Sequence, residues 1–117
     1  VLNGGNFIAI MTNDAWWSDS PGYKQHLSFA ALRAIETRRD IARSANTGIS
    51  CFVDQRGVIH QATTYGTPDA QRGRVYLNDE LTFFVRHGDI IGRVAVVTSL
   101  LPLFAVMFRA RRRKTGQ

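Results

Sequence analysis

The chain begins with apolar and polar positions in the order expected of a strand followed by a helix. Phe7–Met11 is a continuous apolar run that ends in polar residues, which predicts a strand buried on both faces. Ser18–Ser20 and Pro21 then supply N-cap candidates and a proline suited to the first helical turn. Apolar residues recur behind them at helical spacing, so the pattern predicts a helix over about Tyr23–Thr37.

Short extended segments follow this helix. The patterns predict strands near Ile41–Ser44, Ile49–Asp54 and Val58–Thr64, and Asp54–Gly57 is a strong hairpin signal between the last two. Arg74–Leu77 alternates in the manner of a further strand. The order of elements predicts an α/β or layered αβ sandwich, and it does not fix the order of strands in the sheet.

The composition changes at Ile90–Phe108, where the only charge in the segment is Arg93. As a helix this segment would be roughly 28 Å long, close to the ~30 Å hydrocarbon core of a bilayer. A basic cluster follows directly, which favours a transmembrane helix over the alternative, a buried C-terminal helix of a soluble domain. By the positive-inside rule we expect an extracytoplasmic domain over 1–88, a transmembrane helix over 89–108 and a basic cytoplasmic tail over 109–117.

Charge distribution argues against a nucleic-acid partner. The 117 residues include 15 Lys and Arg and 9 Asp and Glu, for a formal charge of +6, but five of the basic residues lie in 109–114. The remainder is nearly neutral, so anionic lipid headgroups are the favoured partner of the tail. The chain starts at Val1 without an initiator Met or a signal peptide, and we expect it to be part of a longer protein.

Polar and aromatic residues gather after the first strand, where α/β folds place their sites. The candidates are the loop residues Asn13, Asp14, Trp16 and Trp17 and the helix residues His26, Arg33 and Glu36. On spacing alone, the alternative is that Arg33 and Glu36 form an ordinary ion pair on the helix surface and that the tryptophans are core residues or membrane-interface anchors.

Other chemistry is weakly indicated. Cys51 lies inside a predicted strand with no base at a supportive spacing, so an inert core thiol is favoured over a nucleophile. The three histidines show no metal-ligand pattern, and no Gly-rich phosphate loop is present. We therefore predict no metal and no cofactor.

Several sequence blocks, in order and spacing, resemble the C-terminal third of the bacterial apolipoprotein N-acyltransferases, the membrane-embedded branch of the nitrilase superfamily. The blocks are Thr12–Trp17, Gln25–His26, Ala31–Glu36, Arg43–Ser50, Asp54–Gly57 and Leu81–Asp89, followed by the apolar segment and its basic tail. The resemblance covers essentially the whole chain.

The resemblance implies the C-terminal part of a nitrilase-like αββα sandwich on the periplasmic side of the bacterial inner membrane, followed by one transmembrane helix. It implies an acyltransferase with a Glu-Lys-Cys triad, in which Glu is the general base and Lys stabilises the oxyanion. The cysteine would take an acyl chain from a phospholipid donor as a thioester and pass it to the N-terminal amine of a lipidated apolipoprotein acceptor.

The resemblance also assigns roles to residues of this chain. The three triad residues are expected upstream of Val1, in the rest of the parent chain, so the segment alone is expected to be inactive. Asn13, Asp14 and Trp16 are implied to form the wall of the active site. His26, Arg33 and Glu36 are implied to support that wall.

Two other functions remain as alternatives. One is a different membrane-tethered carbon-nitrogen hydrolase or amidase, and the other is a non-catalytic membrane-anchored interaction module.

Overall fold

The computed structural model describes the backbone of residues 1–114 and the side chains of residues 1–102, 104 and 106. The chain divides into two compact units, Val1–Arg86 and His87–Gln117. The elements are β1 (Ile8–Asn13), a 3₁₀ turn (Ala15–Trp17), α1 (Gly22–Thr37), β2 (Ile41–Asn46), β3 (Cys51–Val53), β4 (Ile59–His60), α2 (Phe83–His87) and α3 (Ile90–Lys114). The predicted mixed α/β class is confirmed.

The first unit is built on a four-stranded sheet in the order β1-β2-β3-β4. β1 and β2 are parallel and are connected through α1, and Asn13 lies opposite Asn46 at their carboxyl ends. β3 and β4 are added in antiparallel fashion, and the predicted hairpin at Asp54–Gly57 joins them. Gly57 takes a φ of +82° there, which a residue without a Cβ adopts at little cost.

One face of the sheet packs against α1. Small residues on the inner face of the helix let it approach the strands closely, and the buried core consists of Leu27, Ala30, Ala34, Ile41, Cys51 and Val53. On the opposite face of β1, Ala9 is exposed and Met11 is 87% exposed. The prediction that both faces of this strand are buried is therefore wrong for the described chain, because no described element covers the second face.

A long irregular segment, 61–82, is held at the carboxyl end of α1. Arg39 is buried there, and its guanidinium donates to four backbone carbonyls, those of Gly5, Thr37, Arg38 and Glu80, at 2.9–3.3 Å. Two of these acceptors belong to the last turn of the helix and to its C-cap, where a cation also complements the helix dipole. Arg39 thus ties both the amino-terminal segment and the irregular segment to α1.

The predicted strand at Arg74–Leu77 is wrong. Its backbone forms no ladder with the sheet, and the N–H of Tyr76 donates instead to the side chain of Asp40, to Oδ2 at 2.6 Å. Alternating side chains are compatible with any extended segment, and only repeated backbone pairing makes one a strand.

The second unit contains α3, which confirms a helix over the apolar segment and extends it to Lys114. Where the side chains are described, no helix proves both long and apolar enough to cross a membrane, so the predicted span over 89–108 is not confirmed and stays a prediction. The side chains of the basic cluster at 109–114, and all of residues 115–117, lie outside the described part of the chain. The predicted cytoplasmic tail is therefore untested.

The hairpin between β3 and β4 contains a carboxylate, Asp54, that makes the stability of the fold depend on pH. The pKa of Asp54 is lowered chiefly because the His60 side chain hydrogen-bonds to it, at 3.0 Å, and because the N–H groups of Val58 and Arg56 also donate to it. A carboxylate with a lowered folded-state pKa stabilises the fold fully above its unfolded value of about 3.9, and this contribution disappears as the pH falls through the folded pKa.

Asp54→Asn is therefore expected to flatten the loss of stability below about pH 4, by less than about 1 kcal/mol because the pair is partly exposed. Thermal unfolding midpoints of the wild type and the variant, measured between pH 6 and pH 2.5, check this. Parallel curves for the two proteins would contradict it.

Candidate functional site

A buried carboxylate lies at the carboxyl end of β1. Asp14 is 0% exposed, and its Oδ2 accepts a hydrogen bond from Arg43 Nη2 at 2.7 Å. Its Oδ1 lies 2.8 Å from His26 Nδ1 and accepts from Thr12 Oγ1 at 3.2 Å. Because the carboxylate oxygens only accept, His26 presents Nδ1–H to Asp14. We call Asp14, Arg43, His26 and Thr12 the Asp14 cluster.

The cluster joins three elements of the fold. Thr12 belongs to β1, His26 to the second turn of α1 and Arg43 to β2. The Arg43 side chain is 1% exposed, so its charge depends on the ion pair with Asp14 for compensation. The His26 side chain is 38% exposed, which leaves one edge of the imidazole facing solvent.

The loop beyond β1 starts from this fixed point. Asn13 Oδ1 accepts from the backbone N–H of Ala15 at 3.1 Å, which forms an Asx-type turn. The N–H of Asp14 donates to the Asn46 carbonyl, and the Asp14 carbonyl accepts from the N–H of Trp17. The 3₁₀ turn that carries both tryptophans is therefore held through both the N–H and the carbonyl of Asp14.

The two tryptophans differ in their surroundings. Trp16 is 85% exposed, whereas Trp17 is half-buried and its ring packs against Gly22 so closely that a Cβ there would overlap it. Trp16 thus offers a large amphipathic ring to a ligand, and Trp17 fastens the turn to the start of α1.

The turn between β2 and β3 closes over the Asp14 carboxylate. A Cβ on Gly48 would overlap Asp14 Oδ2 and lie 2.7 Å from Asp14 Cβ and Cγ. Arg43 Nε also donates to the Ile49 carbonyl at 3.2 Å. The same turn borders a cavity of about 250 Å³, lined by hydroxyl and amide side chains such as Thr47, Ser50 and Thr63.

Arg33 and Glu36 do not join this cluster. They form an ion pair with each other at 2.8 Å on the surface of α1, and the described residues show no contact of either with Asp14. The structure thus brings together Asp14 and His26, places Asn13 and Trp16 beside them, and leaves the helix pair apart. A supporting role for Arg33 and Glu36 stays a prediction.

Cys51 is a buried core residue, as the sequence indicated. It lies opposite Arg43 in the sheet, and burial raises the pKa of its thiol against the smaller opposing effect of the Arg43 charge. A neutral, enclosed thiol is a poor nucleophile. Across the described residues, no three His, Cys, Asp or Glu side chains are grouped to hold a metal ion.

Two residues of the site were missed as site residues from the sequence, Arg43 and Gly48. A signal for Arg43 existed: it is two residues after Ile41, so strand alternation places it on the same buried face. A charge on a buried face requires a partner, but the sequence alone does not say which carboxylate supplies it. Gly48 carried no such signal, because a glycine after Asn46-Thr47 is also typical of an ordinary turn.

The chain is similar over nearly its whole length to curated apolipoprotein N-acyltransferases. The enzyme of Chlorobaculum tepidum is 34% identical over 108 residues, 92% of this chain and 20% of the relative. The enzymes of Geobacter metallireducens and Thermotoga maritima are 33% and 31% identical, over 95% and 96% of this chain and over 21% and 22% of their own lengths. The chain thus spans about a fifth of the length of the curated relatives it matches. No family model matches it. These similarities confirm the resemblance inferred from the sequence blocks.

Proposed function

Because this chain is a relative, over more than nine-tenths of its length, of part of the apolipoprotein N-acyltransferases, we propose that it forms part of an N-acyltransferase. The enzyme moves an acyl chain from a phospholipid to the N-terminal amine of a lipidated apolipoprotein. The relationship to enzymes of this name is the observation that carries the proposal. The structure supports it with a rigidly anchored loop that presents an exposed tryptophan.

In the proposed reaction, a cysteine thiolate of the parent enzyme attacks the ester carbonyl of the phospholipid. A thioester forms and the lysophospholipid alcohol leaves with a proton. The amine of the acceptor then attacks the thioester, which yields the amide and returns the thiol. We assign no residue of this chain to the Glu-Lys-Cys triad. The burial of Cys51 supports its exclusion from the triad.

This chain contributes one wall of the site. Trp16 lies against the acyl chain or headgroup of the donor, and Asn13 and Asp14 hold the loop that carries it. An indole is suited to this position because it has an apolar body and one N–H donor. The exposed face of β1 packs against other parts of the parent protein as one layer of an αββα sandwich, and the high exposure of Met11 supports this.

We also propose that α3 inserts in the inner membrane with its basic end in the cytoplasm. Apolar residues of the helix are exposed on several sides, among them Ile91, Val96 and Val97. A helix with apolar residues on all sides is typical of an environment without water. The cluster of Arg and Lys that follows favours the cytoplasmic side.

The proposal is tested by assaying the natural gene product in detergent with a phospholipid and a synthetic diacylglyceryl peptide. We expect the peptide to gain one acyl chain on its amine, detected by mass spectrometry, and Cys51→Ala to retain this activity. Absence of transfer would contradict the proposal. Hydrolysis of simple amides in place of transfer would favour an amidase.

Trp16→Ala is expected to raise the KM for the phospholipid donor about 10-fold, because removing an aromatic contact of this kind costs about 1.4 kcal/mol or more. Trp17→Phe is the matched control, since Trp17 packs inward on Gly22 and an aromatic ring is kept. Steady-state rates at varied donor concentration check this. An unchanged KM in Trp16→Ala would show that Trp16 does not contact the donor.

A further inference from the structure

Arg43 makes contacts that connect two loops at the site. Its side chain is buried, and the two donors for which the structure gives partners point to different segments. Nη2 donates to the carboxylate of Asp14, the residue before the turn Ala15–Trp17, which we call the tryptophan loop, and Nε donates to the Ile49 carbonyl in the turn between β2 and β3. A planar guanidinium holds both acceptors in a fixed relative position, which a single ammonium group cannot do.

The position of Trp16 depends on this arrangement through the backbone. Trp16 is highly exposed, so contacts of its own ring hold it only weakly. Its turn starts at Asp14. The N–H of Asp14 donates to the Asn46 carbonyl, and the Asp14 carbonyl accepts from the N–H of Trp17. The Asp14 carboxylate is bound by Arg43 and lies against Gly48. These contacts hold the Asp14 side chain, and the backbone from which the turn starts is held with it.

We propose that Arg43 is a positioning residue for the acyl-donor site, acting through Asp14 on the place of Trp16. The substrate part of this inference rests on the proposed function. Arg43 itself touches no substrate, because its side chain is only 1% exposed. Removing one of these two contacts moves the tryptophan loop and weakens donor binding.

The first experiment follows Trp16 directly. The natural gene product is labelled with 5-fluorotryptophan, and the Trp16 resonance is assigned in the ¹⁹F NMR spectrum by its loss in Trp16→Phe. We expect Arg43→Lys, which keeps the charge, to shift or broaden this resonance. Arg56→Lys, the same change at an exposed position in the hairpin turn, should leave it in place.

The second experiment measures donor KM in a double-mutant cycle of Arg43→Lys with Trp16→Ala. If Arg43 acts through Trp16, Arg43→Lys raises KM about 10-fold in the wild-type background and less than twofold in the Trp16→Ala background. A purely structural role would give the same factor in both backgrounds.

The outcomes separate the two proposals. An unmoved Trp16 resonance in Arg43→Lys, or equal KM effects in both backgrounds, overturns the positioning role. A wild-type protein that transfers no acyl chain overturns the proposed function, and the NMR result alone then decides the role of Arg43. If Arg43→Lys does not fold, Asp14→Asn replaces it under the same criteria, because it weakens the same contact without changing side-chain size.

Discussion

Replacing Arg43 with methionine is expected to destabilise the folded protein by about 3–5 kcal/mol, because it leaves the Asp14 carboxylate buried without its cation. Asp14 is fully buried and has two further partners, His26 and the Thr12 hydroxyl. A hydroxyl supplies no positive charge, and an imidazole supplies one only when protonated. The loss is measured as a fall in the thermal and urea unfolding midpoints of the natural gene product.

Two further variants separate the charge from the packing. Arg43→Met combined with Asp14→Asn leaves no unpaired charge, so this double variant should be more stable than Arg43→Met alone. Arg56→Met at an exposed position should stay within about 0.5 kcal/mol of the wild type. If Arg43→Met stayed that close as well, the ion pair would not be a principal support of the site.

The sequence allowed α1 to be predicted almost residue by residue, because a long element with helical spacing has a strong pattern. It also allowed the hairpin at Asp54–Gly57 to be predicted, because its turn residues are specific. It failed at Arg74–Leu77, where alternation cannot distinguish a paired strand from an extended segment that bonds to side chains such as Asp40.

The site was predicted in part for a related reason. Asp14 and His26 stood in recognisable blocks, but sequence distance hides the pairing of residues 29 positions apart, as Asp14 and Arg43 are. Gly48 shows the same limit. In this turn Thr47, not Gly48, takes the left-handed conformation, with a φ of +59°. The glycine is required by its contact with Asp14, which only the folded structure reveals.

Gly48→Ala is expected to cost about 3 kcal/mol or more, although it adds a single methyl group. The new Cβ would overlap Asp14 Oδ2, and Asp14 cannot move aside without losing its short bond to Arg43. Overpacking alone costs about 1–3 kcal/mol, and loosening the buried ion pair adds to it. Unfolding midpoints of the natural gene product measure the loss, and donor KM should rise with it.

Gly66→Ala is the matched control for this change. Gly66 has a φ of +74° and nothing within 4 Å of a Cβ, so alanine there meets backbone strain of about 1–2 kcal/mol and no clash. The decisive comparison is Gly48→Ala in an Asp14→Gly background, where both the carboxylate and the Cβ of residue 14 that the new methyl group would overlap are gone. There the substitution should cost far less than in the wild type. An equal cost in both backgrounds would mean that the constraint on residue 48 comes from its own backbone and not from Asp14.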